Sequence, residues 1–407
     1  MDSRPTTFKG ATGAELSARL DFPVGGAARA WAILCHCFTC AKNYRAVVNI
    51  SRSLTEHGFA VLRFDFTGLG ESQGDFEDTT FSSSAADVIA AARFLAAQFD
   101  APQLLIGHSL GGTAVLRAAG EVTSARAVAT VAAPFDPSHL RELISSSISE
   151  IETHGHADVL IAGRGFRIKK AFLEDLNETR MDKAIRELSR PLMVFHSPSD
   201  ELVPIENAAR IYTAARHPKS FISLDGADHL LSNEQDGDYV GSMLAAWAAR
   251  YIAERDVTVG KLVADSRVTA RTGETGYRTD IMASGHSLIA DEPLAVGGTN
   301  KGATPYDLLA AALGACTAIT IRMYADRKKW PLTEAIVRLK HRRVHAVDEK
   351  TCESQPAKMD ELEREVELSG DLDAVQLQRL LEIANKCPVH RTLEAGVAVK
   401  TSLKGRI

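Results

Sequence analysis

Ser109 lies in the segment 107–111, GHSLG, which fits the G-x-S-x-G pattern of a nucleophilic serine. An apolar run at 104–106 precedes it, and a stretch rich in Ala, Val and Leu follows from Thr113. This order predicts a strand, a sharp turn and a helix, with the hydroxyl raised near the positive end of the helix. A glycine-rich turn with an unreactive serine would give the same short motif, so partner residues must decide.

Two polar residues follow later strands in the order that an acid and a base require. Asp200 comes after the apolar run 192–196, and His229 comes after the run 220–224. The carboxyl ends of parallel strands meet at one edge of a sheet, where α/β proteins place their chemistry. We therefore predict Ser109 as the nucleophile, His229 as the general base and Asp200 as the carboxylate that orients His229 and stabilises its imidazolium.

Acyl transfer also needs hydrogen-bond donors for the oxyanion that forms on the substrate carbonyl. The backbone N–H of Leu110, directly after the nucleophile, is one predicted donor. The backbone N–H of Phe38, in the loop after the first central strand, is the other. The neighbouring carboxylates of Glu201 and Asp228 remain alternatives for the acid.

Strands and helices alternate up to about residue 255. The apolar runs 31–35, 60–64 and 127–133 have no polar face, which is typical of strands in a parallel sheet covered on both sides. Residues from about 136 to 189 interrupt the alternation with helical stretches of mixed polarity. We expect this insertion to form a cap over the site, with two peripheral helices as the simpler alternative.

Over about residues 10–254 the chain resembles the α/β-hydrolase family. The resemblance rests on the segment 107–111, on the glycine-rich loop 65–71 and on the order of the Ser, Asp and His. It implies a mostly parallel sheet with a helical cap and a serine carboxylic ester hydrolase that acts on small esters through an acyl-enzyme. Action on thioesters or peptides is the alternative. Cys37 departs from the pattern, because many relatives have Gly after the loop histidine.

The pattern changes to α+β from about residue 256. We predict that the helix 308–325 is buried, because it is almost wholly apolar. Cys316 lies in the middle of this helix, and Cys387 follows a second, amphipathic helix at 374–385. The predicted strands are 257–270, 277–283, 286–290, 336–347, 361–368 and 397–403.

Over about residues 258–405 the chain resembles the OsmC/Ohr family. The matching stretches are 290–293, 297–298, 304–309, the helix that contains Cys316, and 387–391. The resemblance implies an obligate intertwined dimer and a thiol-dependent organic hydroperoxide reductase. It assigns Cys316 as the peroxidatic thiol, which becomes a sulfenic acid, and Cys387 as the thiol that condenses with it.

The charged residues that activate the reactive thiol in relatives are matched poorly. Relatives use an Arg from the early strands, for which Arg271 is an approximate match. They also use a Glu at the start of the cysteine helix, where this chain has Tyr306 with Asp307 beside it. Glu292 is a candidate substitute for that carboxylate. The alternative is therefore a catalytically inert module for dimerisation and ligand binding.

Composition limits the classes of function. The 407 residues suggest two domains, which we place at 1–255 and 256–407. The net charge of −5 without a long basic run gives no reason to expect nucleic acid or an anionic membrane as a partner. We find no uninterrupted apolar run of membrane-spanning length and no signal-peptide core near Met1, so we predict a cytoplasmic protein.

The six cysteines form no dense framework, which is typical of thiols in a reducing compartment. Cys35, Cys37 and Cys40 could in principle bind a soft metal, but packing at a strand end and free loop thiols explain them more simply. We expect no metal and no cofactor. The predicted partners are a small ester, an organic hydroperoxide, a dithiol reductant and a second copy bound through the C-terminal domain.

Overall fold

The computed structural model describes residues 2–23, 28–38, 40–161, 163–252, 268–273, 276–284, 286–345 and 358–403. The chain divides into two compact units. The first is Met1–Arg271 with Ile281–Ser287, and the second is Thr272–Asp280 with Leu288–Ile407.

The first unit is built on an eight-stranded sheet. The strands of this part of the chain are β1 (Asp2–Lys9), β2 (Glu15–Phe22), β3 (Ala30–Cys35), β4 (Phe59–Phe64), β5 (Leu104–His108), β6 (Ala127–Val131), β7 (His156–Ile161), β8 (Arg164–Lys169), β9 (Leu192–His196) and β10 (Lys219–Ser223). The order in the sheet is β1-β2-β4-β3-β5-β6-β9-β10. The pairs β1–β2 and β2–β4 are antiparallel, and every later pair is parallel.

Helices cover both faces of this sheet. They are α1 (Arg45–Glu56), α2 (Phe81–Gln98), α3 (Leu110–Ala118), α4 (His139–Leu143), α5 (Ile148–His154), α6 (Lys170–Glu178), α7 (Met181–Arg186), α8 (Glu206–Ala214) and α9 (Glu234–Ala248). α2 and α3 pack into the core on one face, and α1 and α9 pack into the core on the other. Strands β3, β4, β5, β6 and β9 are buried throughout, as their apolar sequences predict. The predicted parallel α/β class is therefore confirmed.

The insertion between β6 and β9 differs from the prediction. It contains the helices α4 to α7, but β7 and β8 form an antiparallel hairpin where only helices were expected. Burial alternates along β7, with Ala157, Val159 and Ile161 buried and the residues between them exposed. This period of two is typical of a half-buried strand, but the sequence shows it only in part, because the exposed Leu160 is apolar.

Beyond the first sheet the chain forms a three-stranded sheet in the order β11 (Thr269–Thr272), β12 (Thr279–Ala283) and β13 (His286–Ala290). The second unit then has the helix α10 (Pro305–Lys328) and an antiparallel ribbon of β14 (Leu332–His345) and β15 (Lys358–Gly370). Two shorter helices follow, α11 (Ala374–Ala384) and α12 (Pro388–Ala395). These elements confirm the predicted α+β character.

Two of the strands predicted for this unit need comment. The predicted strand 257–270 lies mostly outside the described residues. The predicted strand 397–403 is wrong for the single chain, because 397–403 pairs with no strand. The last helix before this stretch, α12, begins directly after Cys387 and has Pro388 at its first helical position.

The helix α10 is much less buried than its apolar sequence led us to expect. In its most apolar stretch of 18 residues only 28% of the residues are buried, because the core contacts of the helix are centred on Ile321 and Ala325. Leu309, Ile319 and Met323 are exposed. By length and composition alone α10 could cross a membrane, although Arg322 interrupts its apolar run. A single helix of this kind is weak evidence for a membrane span, because core helices of other proteins meet the same criterion.

Two candidate catalytic sites

Ser109 lies at the sharp turn between β5 and α3, as the motif predicts. Its φ of 54° is in the left-handed region, which a side chain adopts only where the surrounding fold enforces it. The turn requires glycine at both ends of the motif. A Cβ on Gly107 would lie 2.1 Å from the backbone oxygen of Gly111, and a Cβ on Gly111 would lie 2.4 Å from that of His36.

The structure brings the three predicted side chains into one hydrogen-bonded chain. His229 Nε2 lies 3.0 Å from Ser109 Oγ, and His229 Nδ1 lies 2.8 Å from Asp200 Oδ2. All three residues are buried, with 9%, 8% and 7% of Ser109, His229 and Asp200 exposed. In this geometry His229 can take the serine proton at Nε2 while it donates Nδ1–H to the carboxylate.

The carboxylate of Asp200 is held by the backbone. Its other oxygen accepts hydrogen bonds from the N–H groups of Leu202 and Val203, at 3.0 and 2.8 Å. Burial raises the pKa of Asp200, but the hydrogen bond from His229 and those from the backbone outweigh burial, so the pKa lies below its usual value. Asp200 is therefore held as the anion.

The two alternative acids are placed elsewhere. Glu201 is exposed to solvent. Asp228 directs its carboxylate into the following turn, where it accepts the N–H of Ser232 at 3.0 Å. Asp200 is thus the carboxylate that contacts the ring of His229.

Phe38, Ser109 and Leu110 line one cavity of about 150 Å³. Leu110 is the first residue of α3, so its N–H is one of those a helix start leaves without an intrahelical acceptor. Among the described residues, neither the Phe38 nor the Leu110 N–H has a hydrogen-bond acceptor. Both N–H groups thus belong to residues that line the cavity beside Ser109 and have no acceptor in the part of the chain that the structure describes.

The loop that carries Phe38 is braced by a disulfide and by buried charges. Cys37 and Cys40, which we had treated as free thiols, form a disulfide with a Cα–Cα distance of 5.2 Å. Asp65 accepts hydrogen bonds from Lys42 at both its backbone N and its Nζ, at 2.6 and 2.7 Å. Sequence reasoning missed Lys42 as a positioning residue, since only the fold brings it to the loop after β4.

The cavity is mainly apolar. The residues that line it besides Phe38, Ser109, Leu110 and His229 are Cys37, Pro134, His139, Leu140, Leu160, Ile161, Leu202, Val203 and Leu230. Leu160 and Ile161 belong to β7, so the insertion between β6 and β9 forms part of its wall. Such a surface suits a hydrocarbon group placed next to the nucleophile.

The second candidate site is a pair of cysteines in the second unit. Cys316 is half-buried in α10, and Cys387 is buried at the N-cap of α12. The Sγ of Cys387 lies 3.5 Å from Thr317 Oγ1 and accepts the N–H of His390 at 3.3 Å. The structure thus brings the two predicted thiols together across α10 and α12.

The surroundings of Cys387 favour its thiolate. Burial raises the pKa of Cys387, but hydrogen bonds from Thr317, from the His390 N–H and from Cys316, together with the charge of Arg364, bring it below its ordinary value. Arg364 also donates to Thr317 Oγ1 at 2.9 Å. Sequence reasoning missed Arg364, which lies on β15 and carries no motif.

The residues considered as replacements for the activating carboxylate have other contacts. Asp307 accepts the hydroxyl of Thr304 at 2.7 Å and so completes the N-terminal cap of α10. Tyr306 stacks on the ring of His341, with centroids 4.1 Å apart. Glu292 is half-buried in the turn after β13, and Arg271 lies on β11.

Comparison with known proteins agrees with both resemblances. The model of the alpha/beta hydrolase family matches residues 32–298, which is more than half of the chain, and the model described as OsmC-like protein matches residues 298–402. The crystal structure of the esterase domain from a Rhodothermus marinus protein is 51% identical, with a TM-score of 0.53, and the match covers 62% of this chain and 100% of that one.

More distant relatives are similar over the hydrolase part. The palmitoyl-protein thioesterase ABHD10, mitochondrial, of Homo sapiens is 27% identical over 161 residues, which are 38% of this chain and 51% of that protein. Protein YfhR of Salmonella typhimurium is 25% identical over 177 residues, 44% of this chain and 57% of that one. The chain thus spans little more than half the length of these curated relatives. It belongs to the alpha/beta hydrolase family, and an OsmC-like domain follows its hydrolase domain.

Proposed function

We propose that the first unit is a serine carboxylic ester hydrolase that works through an acyl-enzyme. The observation that carries the proposal is the buried hydrogen-bonded chain from Ser109 through His229 to Asp200. The 51% identity to the esterase domain of a Rhodothermus marinus protein supports it.

The steps follow from the geometry. His229 Nε2 takes the proton of Ser109 as Oγ attacks the ester carbonyl, and the N–H groups of Phe38 and Leu110 bind the oxyanion. His229 then gives that proton to the leaving alkoxide, which departs as the alcohol. Water, deprotonated by His229, attacks the acyl-serine and releases the carboxylic acid. Asp200 stays ionised and stabilises the imidazolium in both halves of the reaction.

The size of the cavity favours small acyl groups. Sites that enclose drug-sized ligands usually have about 300–1,000 Å³, whereas this cavity has about 150 Å³. The thioesterase relative keeps open the alternative that the ester is a thioester. A long acyl chain would need the hairpin β7–β8 to move, since Leu160 and Ile161 line the wall.

Hydrolysis of a p-nitrophenyl ester series from acetate to palmitate, together with the matching acyl thioesters, tests this proposal. We expect the highest kcat/KM for the short oxygen esters and no turnover above background for Ser109→Ala. Ser124→Ala is the matched control, because Ser124 bonds Pro102 away from the cavity. Undiminished turnover by Ser109→Ala would refute the serine mechanism.

We also propose that the second unit reduces organic hydroperoxides, on the observation that Cys316 and Thr317 both contact the thiol of Cys387. The Cys316 thiolate attacks the hydroperoxide oxygen, so that the alcohol leaves and a sulfenic acid forms. The Cys387 thiolate then displaces water from that sulfur and forms a disulfide. A dithiol reductant returns both thiols by exchange and is itself oxidised.

We propose that the chain forms a dimer in which a second copy packs against α10. Leu309, Ile319 and Met323 leave an apolar surface on this helix that the described residues of the chain do not bury. We expect a dimer by light scattering, and a monomer for Met323→Glu with unchanged ester hydrolysis. Glu382→Lys, on the solvent side of α11, is the control for a mere change of charge. A wild-type monomer would contradict the dimer.

The inert-module alternative predicts a different behaviour of the thiols. If the second unit is a peroxidase, Cys316→Ser abolishes dithiol-dependent consumption of cumene hydroperoxide, and Thr392→Ala on the exposed side of α12 does not. If the unit only binds and dimerises, the wild-type chain consumes no hydroperoxide above the rate of free thiols.

A further inference from the structure

We propose that His108 is a positioning residue for the base: its Nε2–H holds the backbone carbonyl of His229 and so sets the distance between His229 and Ser109. The inference rests on the proposed serine mechanism and deepens it. His108 is the variable residue of the motif directly before the nucleophile, where the pattern itself asks for no particular side chain.

The contact between His108 and His229 is short and buried. His108 Nε2 lies 2.7 Å from the backbone oxygen of His229, and only 1% of His108 is exposed. A carbonyl oxygen can only accept, so Nε2 must carry the hydrogen and Nδ1 must be unprotonated. Nδ1 of His108 is buried and has no hydrogen-bond partner within the described part of the chain. The ring therefore makes one hydrogen bond, and it is to the catalytic loop.

His108 stays neutral while His229 changes charge. Burial lowers the pKa of His108 to about 3, and the charge of His229 adds to this effect. The other groups that act on His108 are Asp200, which favours its charged form, and His36, which opposes it. The rings of His108 and His229 are 5.4 Å apart. A neutral donor at this distance holds the base without repelling the imidazolium that forms during the reaction.

The arrangement ties the base and the nucleophile to adjacent residues. His229 lies in the loop between β10 and α9 and is held at three points, by Asp200 at Nδ1, by Ser109 at Nε2 and by His108 at its carbonyl. His108 and Ser109 are neighbours on the turn after β5. Any shift of the loop relative to the turn must therefore break the His108 contact before His229 can leave the nucleophile.

The test compares two substitutions in the full chain with p-nitrophenyl acetate as the probe. Gln places an amide N–H close to the position of Nε2, whereas Met fills similar space with no donor. We expect His108→Met to lower kcat about 10- to 100-fold with KM within about twofold, as a displaced catalytic group does. We expect His108→Gln to recover most of kcat. Both variants should keep the wild-type circular dichroism spectrum.

A second measurement needs no destabilising variant. Long-range ¹H–¹⁵N spectra of the imidazoles should show a histidine that stays neutral from about pH 5 to pH 9 with its hydrogen on Nε2. This signal should be the one missing from His108→Gln. A titrating His108, or a folded His108→Met with wild-type kcat, would overturn the inference even where Ser109→Ala is inactive. Activity in Ser109→Ala would instead refute the serine mechanism on which the inference rests.

Discussion

The serine site and the cysteine site differ in how completely one chain builds them. Every group of the serine site, from the Phe38 loop to Asp200, belongs to the first unit, and each of its three reactive side chains is at most 9% exposed. The cysteine site has its two thiols and a cation, but it lies on a helix whose apolar surface is mostly uncovered. The comparison shows that the described residues of one chain bury the serine site, whereas much of the helix that carries Cys316 stays exposed, and the proposed dimer would cover that helix.

The two sites also stabilise their anions differently. The carboxylate of Asp200 accepts hydrogen bonds from two backbone N–H groups and from His229, so its negative charge acts on the ring of His229. The thiolate of Cys387 is stabilised by Thr317, by the N–H of His390 at the start of α12 and by Arg364. These contacts therefore favour the ionised form of the thiol itself. Because the two sites lie in different units, substitutions at one site should leave the chemistry of the other unchanged.

The largest effect is expected at the carboxylate of the serine site. Asp200→Asn keeps the shape of the side chain but removes the acceptor that selects the tautomer of His229, so kcat for ester hydrolysis should fall about 10⁴-fold. Glu201→Gln is the control, because Glu201 is exposed and should change kcat by less than about twofold. Equal losses in the two variants would refute the role of Asp200. Hydroperoxide reduction should be the same in both.

The buried charges beneath the Phe38 loop give the next largest effect. Arg63 is 2% exposed and pairs with Asp21, which is fully buried, and it also donates to the backbone oxygen of Lys42. Arg63→Met leaves the buried Asp21 without its charged partner, although the hydroxyls of Ser3 and Ser51 still donate to it. The free energy of unfolding should therefore fall by about 3–5 kcal/mol in urea denaturation.

The control for the lower stability of Arg63→Met is a substitution in an exposed ion pair of the same unit. Arg167 on β8 and Asp158 on β7 lie 2.8 Å apart in solvent, and Arg167→Met should lower the free energy of unfolding far less than Arg63→Met does. Similar losses for Arg63→Met and Arg167→Met would contradict the difference in burial. The transition of the second unit should be unaffected by either substitution.

The same contrast explains what the sequence could and could not predict. The turn at Ser109 was predictable because its tight backbone conformation requires the small residues of the motif. His229 and Asp200 were predictable because each lies in the loop that follows one of two consecutive parallel strands. The fold class followed from apolar runs that a helix or a half-buried strand does not produce. These are local signals, and in the first unit they agree with the tertiary structure.

Positioning residues were not predictable in this way. Arg364 reaches Thr317 across 47 residues of sequence, and Lys42 reaches Asp65 from a different loop, so neither has a local signature. The hairpin β7–β8 had only a weak local signal, because Asp158 is polar between buried residues but the exposed Leu160 is apolar. The predicted strand at 397–403 was wrong because alternating apolar residues form a strand only where a partner edge exists.

A smaller effect is expected at the thiols. Thr317→Val removes a hydrogen bond to Cys387, so the pKa of Cys387 should rise and less thiolate should be present at pH 7. A hydrogen bond to a charged group contributes about 1.5–3 kcal/mol, so disulfide formation after hydroperoxide addition should slow about 10- to 100-fold. The rate should recover at higher pH, where Cys387 ionises without help.

Thr320→Val is the matched control for this change. Thr320 lies one turn along α10 and bonds the backbone oxygen of Cys316 at 2.7 Å without a contact to Cys387. Rapid mixing followed by thiol counting measures the rate in both variants. If Thr320→Val slows disulfide formation as much as Thr317→Val, the slower rate comes from a change in α10 and not from the lost contact with the Cys387 thiolate.

The smallest effect is expected at the start of the helix that carries Cys316. Thr304 caps α10 by accepting the N–H of Asp307 at 3.2 Å and donating to its carboxylate at 2.7 Å. Thr304→Ala removes both bonds and should lower the free energy of unfolding of the second unit by about 1 kcal/mol. Thr304→Ser keeps the oxygen and should lose less. If the first unit melts earlier in Thr304→Ala as well, the two units do not unfold independently, and the separation on which the comparison rests fails.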